Sequence, residues 1–349
     1  MKAIYSIILI GLVTATFAQT SKLNSADKKY AKYSYIDAIE IYEKVAEKGH
    51  KSADLFMKLG NSYYFNGELD KAAKWYKELF ALNETVDPEY YFRYAQSLKS
   101  IEDYENANKY LAIFNKNTTD SRGKEFANNK DYLSDIELNS GKYTIEKTDI
   151  NSEYMDYGAS YFGNQIVFTS SRTDGAIYSK VHDWTNQNFT DLYIAPLDDH
   201  NKIGTPVNFS KTINTKLNES SPVFTKDGKT MYFTRNNYLN KKGKSDDKTT
   251  WIKIYKATFS NNEWGNIKEL PFNNDNYSVG HPSISADEKT LYFSSDMPGG
   301  YGSADIYKVS INGNDTYGIP ENLGPIINTE GRETFPFISH NNILYFASK

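Results

Sequence analysis

The 349-residue chain contains no cysteine. That excludes disulfide crosslinks, thiolate zinc sites, a cysteine nucleophile and a cysteine-linked lipid anchor. Histidine is scarce: five occur, at positions 50, 182, 200, 281 and 340, with no metal-ligand spacing among them. His281 reads as a loop residue before a repeated proline. There is no long basic run and the formal net charge is −4. Phosphate binding needs a concentrated positive face, so a nucleic-acid partner is not expected. Gly-X-Ser-X-Gly and Walker patterns are missing. Gly299-Gly300-Tyr301-Gly302 lies between strands rather than before a helix, which argues against a phosphate cradle. Carboxylates are plentiful, but nothing pairs two of them in a pocket. From these absences the expectation is a chain that is not an enzyme, with no catalytic residue, cofactor or metal.

What is present is aromatic. Hydrophobic residues make up 39% and aromatics 15%, with 29 Tyr and 19 Phe. That favours β-structure and aromatic-packed helices over disorder. Residues 1–18 read as a secretory signal: Lys2, a short apolar run from Ile4 to Val13, then small residues up to Ala18. The run is too short to span a bilayer, which takes about 20 residues, and no later stretch qualifies. The Asn-X-Ser/Thr triplets at Asn117, Asn188 and Asn208 are incidental in an Asn-rich chain.

From Ala26 to about Phe114 the apolar period is helical. Phe56, Leu59, Gly60 and Tyr63 fall at i, i+3, i+4 and i+7. Asn66-Gly67 breaks the pattern, and Ala72, Tyr76 and Leu79 line a second helix. Ala38, Ala72 and Ala107 share a slot at intervals of 34 and 35 residues. Tyr91, Tyr94, Ala95 and Leu98 repeat the first signature, and a capping helix is expected near 124–138. This spacing resembles the tetratricopeptide repeat. By that resemblance, residues 19–140 form a helical solenoid. Its groove is lined by Asp54, Met57, Asn61, Tyr64 and Phe65, then Glu89, Phe92, Gln96 and Lys99. Exposed Met, Tyr and Phe there suit capture of a peptide or partner helix; packing against the adjoining domain is the alternative.

After Lys142 the period falls to two. A phrase recurs four times, aligned on Ala159, Pro222, Pro282 and Pro336 at steps of 63, 60 and 54, and its second strand ends on Phe168, Phe233, Phe293 and Phe346. Asp227-Gly228 marks a hairpin. Ile213–Pro222 matches Ile327–Pro336, with Glu219 and Glu333 three residues before the proline, Asp156 in the same place and Val279 in the third copy. Four short strands per period predict a β-propeller blade: Pro222–Thr225, Thr230–Thr234, Trp251–Phe259 and Glu263–Glu269 in the second copy. In the third they are Pro282–Ser285, Thr290–Ser294, Asp305–Ile311 and Thr316–Asn322. "KYTIEKTDI" from Lys142 is a candidate outer strand.

"SSDMPGGYGSADIY" is similar to the WD40-like propeller repeat of the TolB type, PD40. Asp296 and Asp305 read as caps of turn amides rather than calcium ligands, since two carboxylates fall short of the six or more oxygens calcium takes. The fourth copy stops at Lys349, after its second strand, and a propeller closes with about four to eight blades. The expectation is therefore an α+β chain with an α-α tetratricopeptide solenoid, then a propeller of about three and a half blades over 141–349, as the N-terminal part of a longer protein.

The order of signal, helical repeats and PD40 propeller resembles the N-terminal part of OmpA-family envelope proteins of Bacteroidota, some associated with type IX secretion. The resemblance implies an exported, periplasmic, outer-membrane-associated scaffold whose partners are envelope or secretion-machinery proteins, with peptidoglycan bound only through a further C-terminal domain. The front half of a secreted serine peptidase and a carbohydrate-binding propeller remain open.

Overall fold

The computed structural model describes residues 19–173, 181–200, 202–239 and 243–349. The leader expected at 1–18 lies outside them. The chain is α+β and divides into two compact units: residues 1–139 with 182–186, and residues 140–181 with 187–349.

The first unit is helical. Helix α1 covers 19–30. It is followed by α2 (Tyr35–Ala46), α3 (Ala53–Phe65), α4 (Leu69–Ala81), α5 (Glu89–Lys99), α6 (Tyr104–Asn117), α7 (Ser121–Asn128) and α8 (Tyr132–Asn139). Local chemistry sets several starts. The hydroxyl of Ser52 accepts from Leu55 N, and the carboxylates of Asp103 and Asp120 accept from Asn106 N and Arg122 N, satisfying amides the helix cannot. Consecutive helices from α2 to α7 pack on one another. The shared slot is fully buried: Ala38, Ala72 and Ala107 are each 0% exposed. Gly60 is small for a different reason than close backbones. A Cβ there would lie 2.3 Å from Cε1 of Tyr76, so the Tyr76 ring occupies the space. The expected cap near 124–138 is two short helices, α7 and α8.

The second unit is built of antiparallel strands in chain order. The first sheet is β1 (Asp156–Phe162), β2 (Gln165–Ser170), β3 (Asp191–Pro196) and β4 (Val207–Asn208). The second is β5 (Glu219–Phe224), β6 (Thr230–Asn236), β7 (Ile252–Ser260) and β8 (Glu263–Glu269). The third is β9 (Val279–Ile284), β10 (Thr290–Ser295), β11 (Asp305–Gly313), β12 (Thr316–Tyr317) and β13 (Glu321–Asn322). The fourth is β14 (Glu333–Ile338) with β15 (Leu344–Ser348). The strand expected over Thr316–Asn322 is thus two short pieces, both paired with β11. Residues 142–148 form no strand.

One register organises the sheets. Phe168 pairs with Tyr193, Phe233 with Tyr255 and Phe293 with Tyr307. All three Phe rings are buried, and their tyrosine partners lie 5.8–6.1 Å away, centroid to centroid. Phe346 lies on β15, which pairs only with β14 among the described residues, and is half-buried. Pro222, Pro282 and Pro336 are buried in the first strand of their sheets.

Side chains complete each sheet. Asn214 accepts from Leu192 N and donates to Leu192 O; Asn273 does the same for Ile254, and Asn328 for Ile306. The repeated acids are anchored too. Ser152, Thr215 and Thr329 each donate a backbone N–H and a hydroxyl to Asp156, Glu219 and Glu333, four residues on. Sixteen residues after the first two acids stand Arg172, 2.7 Å from Asp156, and Arg235, 3.0 Å from Glu219. In the third copy the same two positions are Val279 and Ser295, so acid and base are absent together.

Candidate functional site

In the helical unit the expected groove positions lie on α3 and α5, but much of that surface is taken up internally. Asn61, Tyr64 and Phe92 are buried, which corrects the expectation of exposed Tyr and Phe. Asn61 lies between α1 and α5. Its amide donates to Tyr30 Oη (3.0 Å), and its carbonyl accepts from Tyr76 Oη (2.9 Å) and Arg93 Nη1 (2.8 Å). Glu89 then accepts from Arg93 Nε (3.2 Å) and Arg122 Nη2 (2.7 Å). A polar ladder therefore joins α1, α3, α5 and α7 along one face. Burial lowers the pKa of Lys99, whose ammonium sits 4.0 Å from the Tyr132 ring centroid. Asp54 pairs with Lys58, 2.8 Å away. Met57, Gln96 and Phe65 are half-buried.

Sequence reasoning missed Trp184. Residues 182–186 belong to the helical unit. The Trp184 indole stacks on Tyr33 (5.7 Å) and meets Tyr35 edge-on (5.0 Å), while Nε1 donates to Phe65 O at 3.3 Å. No local signal marks a tryptophan in a strand-rich stretch as a half-buried contact of helical residues.

In the strand unit the first strand of every sheet breaks register at the same point. The bulge residue there has φ of +62° at Gly158, +49° at Ser221, +55° at His281 and +52° at Phe335. His281 is therefore in a strand, which corrects the loop reading. Three of these side chains converge. Ser221 Oγ lies 3.2 Å from His281 Nδ1, and the His281 and Phe335 rings are 3.8 Å apart. Tyr157 of β1 approaches Phe335 of β14 edge-on at 6.1 Å, so the first and fourth sheets meet here. Burial, with a contribution from Arg332, lowers the His281 pKa to about 4, leaving the imidazole neutral at ordinary pH.

Asp305 takes the N–H groups of Tyr301 (2.6 Å) and Gly302 (3.1 Å) and the Asn322 amide (2.7 Å). Asp296 takes Ser278 N at 2.6 Å. Asp305 thus caps the turn before its strand, as expected, whereas Asp296 holds the amide directly before β9 rather than one in its own turn. Among the described residues no group of three or more His, Asp or Glu is placed to hold a metal, and no helix is long and apolar enough to cross a membrane.

No family model and no curated protein matches the chain by sequence. Solved structures do match over part of it. A puromycin-hydrolysing peptidase of Mycobacterium tuberculosis is 15% identical over 51% of this chain and 24% of its own, with a TM-score of 0.30. An α-L-arabinofuranosidase from Lactobacillus brevis is 13% identical over 53% and 58% (TM-score 0.34). A xylan β-1,4-xylosidase from Bacillus halodurans is 11% identical over 59% and 39% (TM-score 0.36). The chain thus spans from a quarter to under three-fifths of the length of these structures. Since they are peptidases and glycoside hydrolases, the expectation that this chain is not an enzyme is withdrawn. Likeness at this level assigns it no reaction, substrate or catalytic residue.

Proposed function

We propose that the chain is an exported scaffold of the bacterial envelope that binds other proteins through its helical unit. In this reading the helices are a tetratricopeptide-type solenoid and the four sheets are blades of a PD40-type propeller. In the same reading the chain works at the periplasmic face of the outer membrane, as OmpA-like envelope proteins do, and its partners are envelope or secretion-machinery proteins.

The polar ladder through Asn61, Arg93, Glu89 and Arg122 carries the proposal. It fixes α1, α3, α5 and α7 side by side as one pre-formed face, and a fixed face loses little ordering entropy on binding. Asp54, Met57, Gln96 and Lys99 stay at least partly accessible on the two central helices. The test is affinity capture from the native envelope with the full chain and a Met57→Glu/Gln96→Glu variant. Partners captured by the wild type should be lost by the variant, with helicity by circular dichroism unchanged. An identical partner set would show that this face binds nothing.

A further inference from the structure

Between α1 and α6 each helix corner turns through a residue at positive φ: Tyr33 (+59°), Gly49 (+87°), Gly67 (+75°), Asn83 (+55°) and Glu102 (+62°). That backbone favours glycine, and a bulky aromatic suits it least. The ring that Tyr33 carries there receives an indole.

Three contacts define the receiving place. Trp184 lies nearly parallel to Tyr33 (5.7 Å, 14°), meets Tyr35 at 90° (5.0 Å), and donates from Nε1 to Phe65 O (3.3 Å). Phe65 O lies in the last turn of α3, where a helix has no amide left for its own carbonyls. The N–H groups of Asn66, Gly67 and Glu68 go instead to Tyr63 O and Tyr64 O. Stack, edge and acceptor together fit an indole, whereas a phenyl ring has no donor for the carbonyl. The occupant is a short turn: Thr185 N and Asn186 N both donate to His182 O. Its Trp184 is only half-buried, and the bond to Phe65 O is long. The Phe65 ring also has the Arg93 guanidinium 5.1 Å from its centroid, so the place adjoins the polar ladder.

We propose that Tyr33, Tyr35 and Phe65 form a receptor for a tryptophan-bearing segment of a partner protein, and that residues 182–186 fill it until displaced. This rests on the reading of the helical unit as a protein-binding surface and names the partner's chemistry. The probe is the end-blocked peptide Val181–Gln187 of this chain, titrated by calorimetry into the full chain. Trp184→Ala vacates the place and should bind the peptide with Kd of about 1 mM or tighter. The wild type should bind at least about tenfold more weakly, because its own tryptophan competes at high effective concentration. A peptide with 1-methyltryptophan, which stacks but cannot donate, should bind about threefold more weakly or worse. Adding Tyr33→Gly to Trp184→Ala should abolish binding while melting no lower, since glycine suits that φ. No binding to Trp184→Ala, equal binding to the wild type, or binding that survives Tyr33→Gly would each overturn the proposal. Should Trp184→Ala not fold, the 5-fluorotryptophan-labelled wild type decides: a Trp184 fluorine signal unmoved by excess peptide overturns it. Capture by the Met57→Glu/Gln96→Glu variant is a separate readout, so either reading can fail alone.

Discussion

Phe233 is the side chain on which the second sheet closes. It is 0% exposed, faces Tyr255, and has the Arg235 guanidinium 5.0 Å from its ring centroid. Phe233→Ala should cost about 3–5 kcal/mol in urea unfolding of the strand unit; a loss below about 1 kcal/mol would contradict the register. His281 makes a pH prediction. Its folded pKa is depressed to about 4 by burial and Arg332, so between roughly pH 6.5 and 4 the unfolded chain takes up a proton that the folded chain does not. The stability it contributes is complete above pH 6.5 and is lost as pH falls, about 3 kcal/mol in all. Comparing unfolding free energies of wild type and His281→Gln at about pH 7 and pH 4.5 should show a steeper fall for the wild type. These two residues also show what sequence can reveal. Phe233 was legible because its Met-Tyr-Phe-Thr run repeats as Leu-Tyr-Phe-Ser. The bulge was not, because Gly, Ser, His and Phe share no chemical character and only backbone geometry equates them.

At the scale of elements, strand order in the second and third sheets followed from period-two patterning and turn residues, and β8 has the bounds expected of it. The carboxamides of Asn214, Asn273 and Asn328 stayed hidden. Each completes a strand two sequence segments away, and an asparagine before a turn ordinarily reads as turn chemistry. They are not equivalent. Asn328 is buried and also donates to Asn322 Oδ1 at 2.7 Å, whereas Asn273 is half-buried. Asn328→Ala should therefore cost about 2–4 kcal/mol, leaving the buried Ile306 N–H without its partner while Ile306 C=O keeps only Leu323 N, and Asn273→Ala about 1 kcal/mol, since water can replace the amide there. Equal losses in thermal unfolding would mean that the side chains only fill space.

At the scale of the whole molecule, both halves were legible as repeats because neither a helix pair nor a sheet can bury its own apolar face. The stripe located by the 3.6-residue period is buried, Phe56, Leu59 and Tyr63 on α3 included. What was not legible is that Asn61, Tyr64 and Phe92 beside the stripe are buried too. The ladder they frame makes a prediction for the helical unit as a whole. Asn61→Ala removes the acceptor of both Tyr76 and Arg93 and should lower stability by about 2–4 kcal/mol. Native-state hydrogen exchange should show the loss spread over α1, α3 and α5; a change confined to α3 would mean that the contacts are not coupled.

The asparagines that close the sheets also bear on how the protein ages. Hydrolysis of one carboxamide to a carboxylate deletes the donor and sets an anion against the backbone oxygen of Leu192, Ile254 or Ile306, now 2.7–3.1 Å away. The shelf life of the strand unit is thereby tied to three amide nitrogens.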